Sequence, residues 1–321
     1  MVAPLGGRGA PNRPVLLQET IGFLAPERGG LFVDGTVGLG GHSEAILNAS
    51  PETRVIGIDL DSESLELAQQ RLAPFGGRFR TAHANFRDIT RVLAEAGEQE
   101  ISGILIDLGV SSLQFDSPHR GFSFRFDAPL DMRLDAKGGG ETAADLLRDS
   151  SEEEIARILF EYGEERRSRR LARRIVERRE EGQPLETTSE LADLVAKAIG
   201  YSRAQKIHPA TRTFQALRIA VNHELEGLDL FIETAVDLLQ PGGRFAAISF
   251  HSLEDRIVKQ GLRRLSGYCQ CPPRVPVCAC GARHEVEILT RRPVTAGPLE
   301  LNENPRARSA KLRACCKLIS N

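Results

Sequence analysis

The sequence predicts an α/β protein: a mostly parallel sheet of seven strands, interrupted by a helical insertion. Three observations predict it. Apolar runs alternate with helical periodicities from residue 31 to about 110. The alternation then gives way to a loop and a long, charged helical stretch. It resumes near residue 213 and continues to the C-terminus. Strands alternating with helices at this spacing form βαβ units, which pair in parallel.

The elements follow in order. LFVDGT (31–36) is a continuous apolar run that suits a buried strand. HSEAILNA (42–49) reads as a helix and TRVIGIDL (53–60) as a second strand. SESLELAQQRL (62–72) spaces its apolar residues helically, with Asp61 placed to cap it. GRFRTAHAN (77–85), the helix FRDITRVLAEA (86–96) and the strand ISGILIDLG (101–109) extend the series. Residues 115–140 mix Pro, Gly, Phe and charge without a period, as a long functional loop does. Residues 150–200 are helical and heavily charged. Ser151 with Glu154, and Thr187 with Glu190, have capping-box spacing. Gly200 suits a helix end. Residues 213–239 read as helical with a break near Gly227. The turn Pro241-Gly242-Gly243 enters a fifth strand, GGRFAAISF (242–250), after which Ser252 to Asp255 can cap a helix. HEVEIL (284–289) and ARSAKLRACCKLI (307–319) supply two last strands. The expected division is therefore 1–114 with 216–321 for the sheet domain, and 115–215 for the insertion.

Composition narrows the class. Hydrophobic residues make up 41% of 321, enough for a large core. No apolar run approaches 18 residues and no charged-then-apolar leader opens the chain, so a cytoplasmic protein with no membrane span is expected. The net charge of −2 leaves any nucleic-acid contact to local patches. With no Trp and three Tyr, a stacking platform would have to use Phe. Cys269, Cys271, Cys278 and Cys280 form C-x-C-x6-C-x-C. Four such thiolates could hold zinc, although the usual pair is C-x2-C, and a reduced Pro-rich surface loop is the alternative. No metal is assigned. Cys315 and Cys316 fall in a strand pattern as packing residues.

The first strand ends in Asp34-Gly35-Thr36-Val37-Gly38-Leu39-Gly40-Gly41-His42. Glycines let the backbone turn sharply and approach a ligand, and the helix that follows aims free N–H groups at it. Asp59, at the end of the second strand, can accept both hydroxyls of an adenosine ribose. A tight turn with no ligand is the plain alternative. The pattern D-G-x-x-G-x-G-G departs from the dinucleotide fingerprint G-x-G-x-x-G. Asp34 sits poorly beside a pyrophosphate and suits the ammonium of a methionine moiety. Phe86, after the third strand, can pack on adenine or simply on the core. Asp107 ends an apolar fourth strand, where a carboxylate is costly unless used or paired.

PVLLQETIGFL, VDGTVGLGGHS, GIDLD, LIDLGVSS, RGFSF, PLDMR, YGEER, HPATRTFQALRIAVNHEL, ISFHSLEDRIVK and NPRARSAKLR occur in this order. Together they resemble the MraW/RsmH family of bacterial 16S rRNA cytosine-N4 methyltransferases, from about residue 12 to the C-terminus. The resemblance implies a class I (Rossmann-like) methyltransferase sheet with an inserted helical domain. It implies S-adenosyl-L-methionine as cofactor and, as partner, a cytidine in the decoding region of 16S rRNA in the small ribosomal subunit. Carried over by position, the cofactor contacts are Gly40, Gly41, His42, Asp59, Phe86, Asp107 and Gln114. Many members read H-x-P-V-L near the N-terminus, whereas this chain has Asn12-Arg13-Pro14-Val15-Leu16.

The cytosine N4 lone pair is delocalised, so the amine must be aligned and its N–H held by an acceptor. Asp107 is the candidate catalytic acceptor. A target base would be flipped out or unpaired to reach the crevice. Phe122, Phe124 and Phe126 could stack on it, or could anchor their loop to the core. His251 could touch the base, or could start a helix bonded to its neighbours. Eight arginines lie between Arg166 and Arg179, and Arg166, Arg170, Arg173 and Arg174 could track phosphates. The alternative is a solvated helix balanced by Glu164, Glu165, Glu177 and Glu180. Competing readings are a non-catalytic RNA-binding assembly factor, a methyltransferase on another substrate and, more distantly, an NAD oxidoreductase. Monomer and dimer both remain open.

Overall fold

The structure, a computed structural model, describes residues 13–200, 208–269, 271 and 281–319. Seven strands form one sheet: β1 Gly30–Asp34, β2 Thr53–Asp59, β3 Phe79–His83, β4 Ile101–Asp107, β5 Leu239–Ser249, β6 Val286–Ile288 and β7 Lys311–Lys317. Their order is β3-β2-β1-β4-β5-β7-β6. The first five run parallel, while β7 is antiparallel to both β5 and β6. The order reverses between β1 and β4, so the carboxyl ends of those strands frame the crevice where open α/β sheets take ligands.

Burial on both faces explains the continuous apolar runs. Leu31 and Val33 of β1, with Ile104 and Ile106 of β4, join the core on one face beside Phe231 and Ile232. Phe32 and Leu105 point to the other face and pack with Ile46, Leu47 and Leu312. This is the alternation a strand requires.

Two units emerge. One takes the chain up to Gly109 and again from Gly227; the other is Val110–Glu226. The boundaries lie at 109 and 226 instead of the expected 114 and 215, for a packing reason. The helix Ala210–Asn222 buries Ala210, Phe214, Ala216 and Leu217 in the second unit's core. Asn222 then donates to the Met132 carbonyl and accepts from Leu134 N, both at 2.7 Å. That core also holds the helices Ala143–Asp149, Glu152–Glu161, Ser168–Glu180 and Thr188–Ile199.

Several element ends differ from expectation. β3 starts at Phe79 because a 3-10 segment, Ala73–Arg78, kinks at Gly76 with φ 56°. β7 starts at Lys311 because Pro305–Ser309 winds into a 3-10 turn capped by Asn304. β1 stops at Asp34, where the glycine turn begins. Thr187 and Glu190 form a full capping box, whereas Glu154 turns to Arg157 and only the Ser151 hydroxyl caps its helix. The helix after β5 is capped by His251, not Ser252. The break near Gly227 is present: His223 (φ 51°) closes one helix and Gly227 (φ 65°) opens Leu228–Leu238. Among the described residues, no helix is long and apolar enough to cross a membrane.

Candidate active site

The turn after β1 is stitched to its neighbours. Gly35 N donates to the Leu105 carbonyl at 2.8 Å, and Val37 N to the Ile58 carbonyl at 2.9 Å. Gly38 (φ 49°) and Gly40 (φ 77°) hold left-handed conformations that favour glycine. Gly41 opens the helix Gly41–Ala49, and a Cβ there would lie 2.4 Å from Pro14 Cγ.

Three carboxyls surround this turn. Asp34 is buried; it accepts the Ser43 hydroxyl at 2.7 Å and, at 3.4 Å, Thr36 N. Burial pushes it up to about 6, against the pull of Ser43 and Thr36, and Asp59 adds to the push. Asp59 accepts Gly38 N at 2.8 Å and Asp61 N at 2.9 Å, and withdrawal from water pushes it up to about 6 as well. The backbone of Asp107 is fixed by its N–H on Thr36 Oγ1 at 2.6 Å. Its Oδ1 is buried without a hydrogen-bond partner among the described residues. Burial, then Asp34, then Glu254 push this carboxyl well above the usual range.

His42 faces Asp107, with Nδ1 3.8 Å from Oδ2. Its Nε2 lies 3.0 Å from the Val15 carbonyl. A carbonyl only accepts, so Nε2 carries the proton and Nδ1 presents a lone pair. Burial pushes His42 down to about 4, so the ring is neutral near pH 7 and the pair is not a salt bridge. Asp107 Oδ1 and His42 Nδ1 thus both stand as acceptors here.

The other expected residues are placed as follows. Phe86 sits in a 3-10 turn capped by Asn85 and packs edge-on against Phe231, with ring centroids 4.7 Å apart. That contact is the core one of its two readings. Gln114 belongs to the second unit, in the helix Ser112–Asp116, where its Oε1 accepts Ser111 N at 2.9 Å. His251 caps the helix Ser252–Leu265 and lies 2.9 Å from Glu254 Oε1. It therefore follows the helix-start alternative. In the second unit, Phe122 is buried, Phe124 packs on Phe214 with centroids 4.9 Å apart, and Phe126 is half exposed. Cys315 is buried in β7, and burial pushes its thiol up. Cys278 and Cys280 lie outside the described residues, so the four-cysteine cluster does too.

Thr36, Ser43 and Glu254 are neighbours of these carboxyls that sequence reading passed over. Only Glu254 left a signal: its spacing from His251 is that of a capping box.

The sequence model of the MraW methylase family matches residues 10–318. The chain belongs to the MraW methylase family. It is 54% identical over 309 residues to the ribosomal RNA small subunit methyltransferase H of Geobacter sulfurreducens, covering 96% of this chain and 99% of that one. It is 53% identical over 307 residues to the protein of that name from Gloeobacter violaceus, covering 96% and 88%. A solved rRNA methylase from Streptococcus thermophilus is 13% identical with a TM-score of 0.40, covering 97% of this chain and 100% of that one.

The crevice fits a methylase's cationic cofactor. Sulfonium and ammonium charges answer the carboxyls, and the partnerless Asp107 Oδ1 calls for a donor. A pyrophosphate would meet three acids and a lone pair instead.

Proposed function

We propose that this chain transfers a methyl group from S-adenosyl-L-methionine to the exocyclic N4 of a cytidine in the decoding region of 16S rRNA. It acts in the cytoplasm on the small ribosomal subunit, and the helical unit 110–226 recognises the RNA. The observation that carries the chemistry is the buried, partnerless carboxyl oxygen of Asp107 at the point where strand order reverses. The name of the relatives supports the substrate class.

When bound, the cofactor supplies an electrophilic methyl group. Gly40 and Gly41 admit it closely, and Asp59 takes the ribose hydroxyls. Asp34 balances the ammonium, and Ser43 holds Asp34 in place. Asp107 Oδ1 accepts an N4–H, which orients the amine lone pair away from the carboxyl and toward the methyl carbon. As the C–N bond forms and the C–S bond breaks, N4 becomes acidic and its surplus proton passes to Asp107 or to water. The raised pKa of Asp107 makes it a better acceptor than an exposed aspartate. Thr36 fixes the backbone of Asp107, and His42 is a further cofactor contact. Phe86 and Gln114 complete the cofactor contacts.

The test is methyl transfer from labelled cofactor to undermethylated small subunits, protein-free 16S rRNA and tRNA, followed by digestion to nucleosides. N4-methylcytidine from the subunit sample, lost in Asp107→Ala, is expected. Tight cofactor binding with no transfer to any ribosomal sample would overturn the substrate and favour an assembly factor.

A further inference from the structure

The arginine-rich stretch Arg166–Arg179, which runs into the helix Ser168–Glu180, sorts its cations into two classes. Four are committed to the fold. Arg167 donates to the Ile199 carbonyl, at the end of the helix Thr188–Ile199. Arg178 holds the Gln183 carbonyl and Glu190. Arg179 donates to the carbonyls of Leu147, Arg148 and Ser150, closing the helix Ala143–Asp149. Arg174 pairs with Glu177 at 2.8 Å.

The other four form a surface. Arg166, Arg169 and Arg170 are exposed and have no partner among the described residues. Arg173 is exposed and meets only Glu152, at 3.7 Å. At 3.6 residues per turn, Arg169, Arg170 and Arg173 fall within an arc of about 100°, and Arg166 precedes them by one turn. Glu164 is exposed two residues before Arg166, and the other nearby acids are mostly committed elsewhere. Glu165 is buried and accepts Arg167 N; Glu177 is taken by Arg174. Glu180 lies about 10 Å beyond Arg173 along the helix, roughly a Debye length.

The position is electrostatically unfavourable for the free protein. Arg169 and Arg170 lie in the first turn, at the positive end of the helix, and that turn contains no acid. We infer that Arg166, Arg169, Arg170 and Arg173 form an anion-binding face that docks the phosphate backbone of the substrate RNA. The inference rests on the proposed function and extends it by naming where the RNA is held. Guanidinium forks match phosphate oxygens in pairs, which suits arginine over lysine at such a face.

The test replaces all four with glutamine in the full chain. A control replaces Arg28, Arg54, Arg80 and Arg91 of the other unit, giving the same change in net charge. Both are titrated with 16S rRNA between 50 and 200 mM KCl. Each lost phosphate contact on a single strand lowers the salt slope by about 0.7, so the slope should fall by about 3. Wild-type affinity should then drop about 60-fold more across that salt range than the variant's. The control should keep the wild-type slope. In methyl transfer, KM for subunits should rise at least about tenfold with kcat little changed. Cofactor affinity should be unchanged and the melting temperature unchanged or higher, because cations leave the positive end of the helix. If the quadruple variant misfolds, R169Q/R173Q should show about half the slope change.

An unchanged slope, with wild type binding RNA normally, would overturn this surface and leave the proposed function standing. Failure of the wild type to bind any ribosomal RNA would overturn both. Loss of binding to anionic phospholipid vesicles with an unchanged RNA slope would overturn RNA in favour of a membrane.

Discussion

Acidity should control cofactor binding over a narrow window. Asp34 and Asp59 are both pushed up to about 6 by withdrawal from water. An acid whose pKa rises on folding binds protons better in the folded state. Its contribution to stability is present at low pH and is lost as pH rises through about 6. In the proposed binding mode the cofactor requires the opposite state, with ionised carboxylates to receive the ammonium and the ribose hydroxyls. If both must be ionised, the competent fraction is about 1 in 120 at pH 5 and about 5 in 6 at pH 7. Affinity should therefore rise about 100-fold between those values, or about tenfold if only one carboxylate matters. His42, pushed down to about 4, stays neutral throughout and adds little. Asp107 is pushed up as well, chiefly by withdrawal from water. Calorimetric titration with S-adenosylmethionine at pH 5, 6 and 7, in buffers of different ionisation enthalpy, reads both the affinity and the protons released. Asp34→Asn and Asp59→Asn should each remove about a factor of ten from the pH dependence. An affinity flat from pH 5 to 7 with no proton release, in protein that melts normally, would refute the reasoning.

Three further outcomes follow from single side chains. Asp107→Asn should raise the melting temperature of the cofactor-free protein by about 2–8 °C, since an unpartnered buried carboxyl costs about 1–3 kcal/mol. The same variant should lose about 100-fold or more in methyl transfer; a lower melting temperature would mean the carboxyl is structural. His251→Ala should cost about 1 kcal/mol through the lost helix cap and leave turnover within about threefold. A loss in turnover beyond 100-fold would instead place His251 at the substrate. Gly41→Ala should destabilise by about 1–3 kcal/mol, because its Cβ meets Pro14. Thermal melts of Gly41→Ala combined with Pro14→Ala check this, because failure to recover stability would show that Pro14 is not the obstacle.

The strands that frame the site were legible because they are buried on both faces. A run such as Ile104-Leu105-Ile106 has no polar face to hide, so its apolar continuity reads directly. Asp107 was legible for the converse reason, a carboxylate ending such a run. The ends of β3 and β7 were misread where local turns at Gly76 and Pro305 outweigh strand propensity. The cap at His251 was missed because serine is the commoner cap, although Glu254 stood at the right distance. The His42 tautomer was not legible at all. It depends on the carbonyl of Val15, 27 residues away, and no local pattern encodes that contact.

The crevice is arranged against its own stability. Three carboxyls sit with raised pKa values around one turn, Asp59 pushes on the ionisation of Asp34 and Asp34 on that of Asp107, and a neutral histidine turns its lone pair toward Asp107. Asp34 and Asp59 also hold Ser43, Gly38 and Asp61, so the uncompensated surplus is Asp107 Oδ1 and the His42 lone pair. The surplus has a use only with a cation present. In the proposed reaction the sulfonium charge disappears as the methyl group leaves, so the carboxyls hold the spent cofactor with one attraction fewer. The electrostatic strain that the free protein carries then returns at the moment of product formation, and it favours release of the product over its retention.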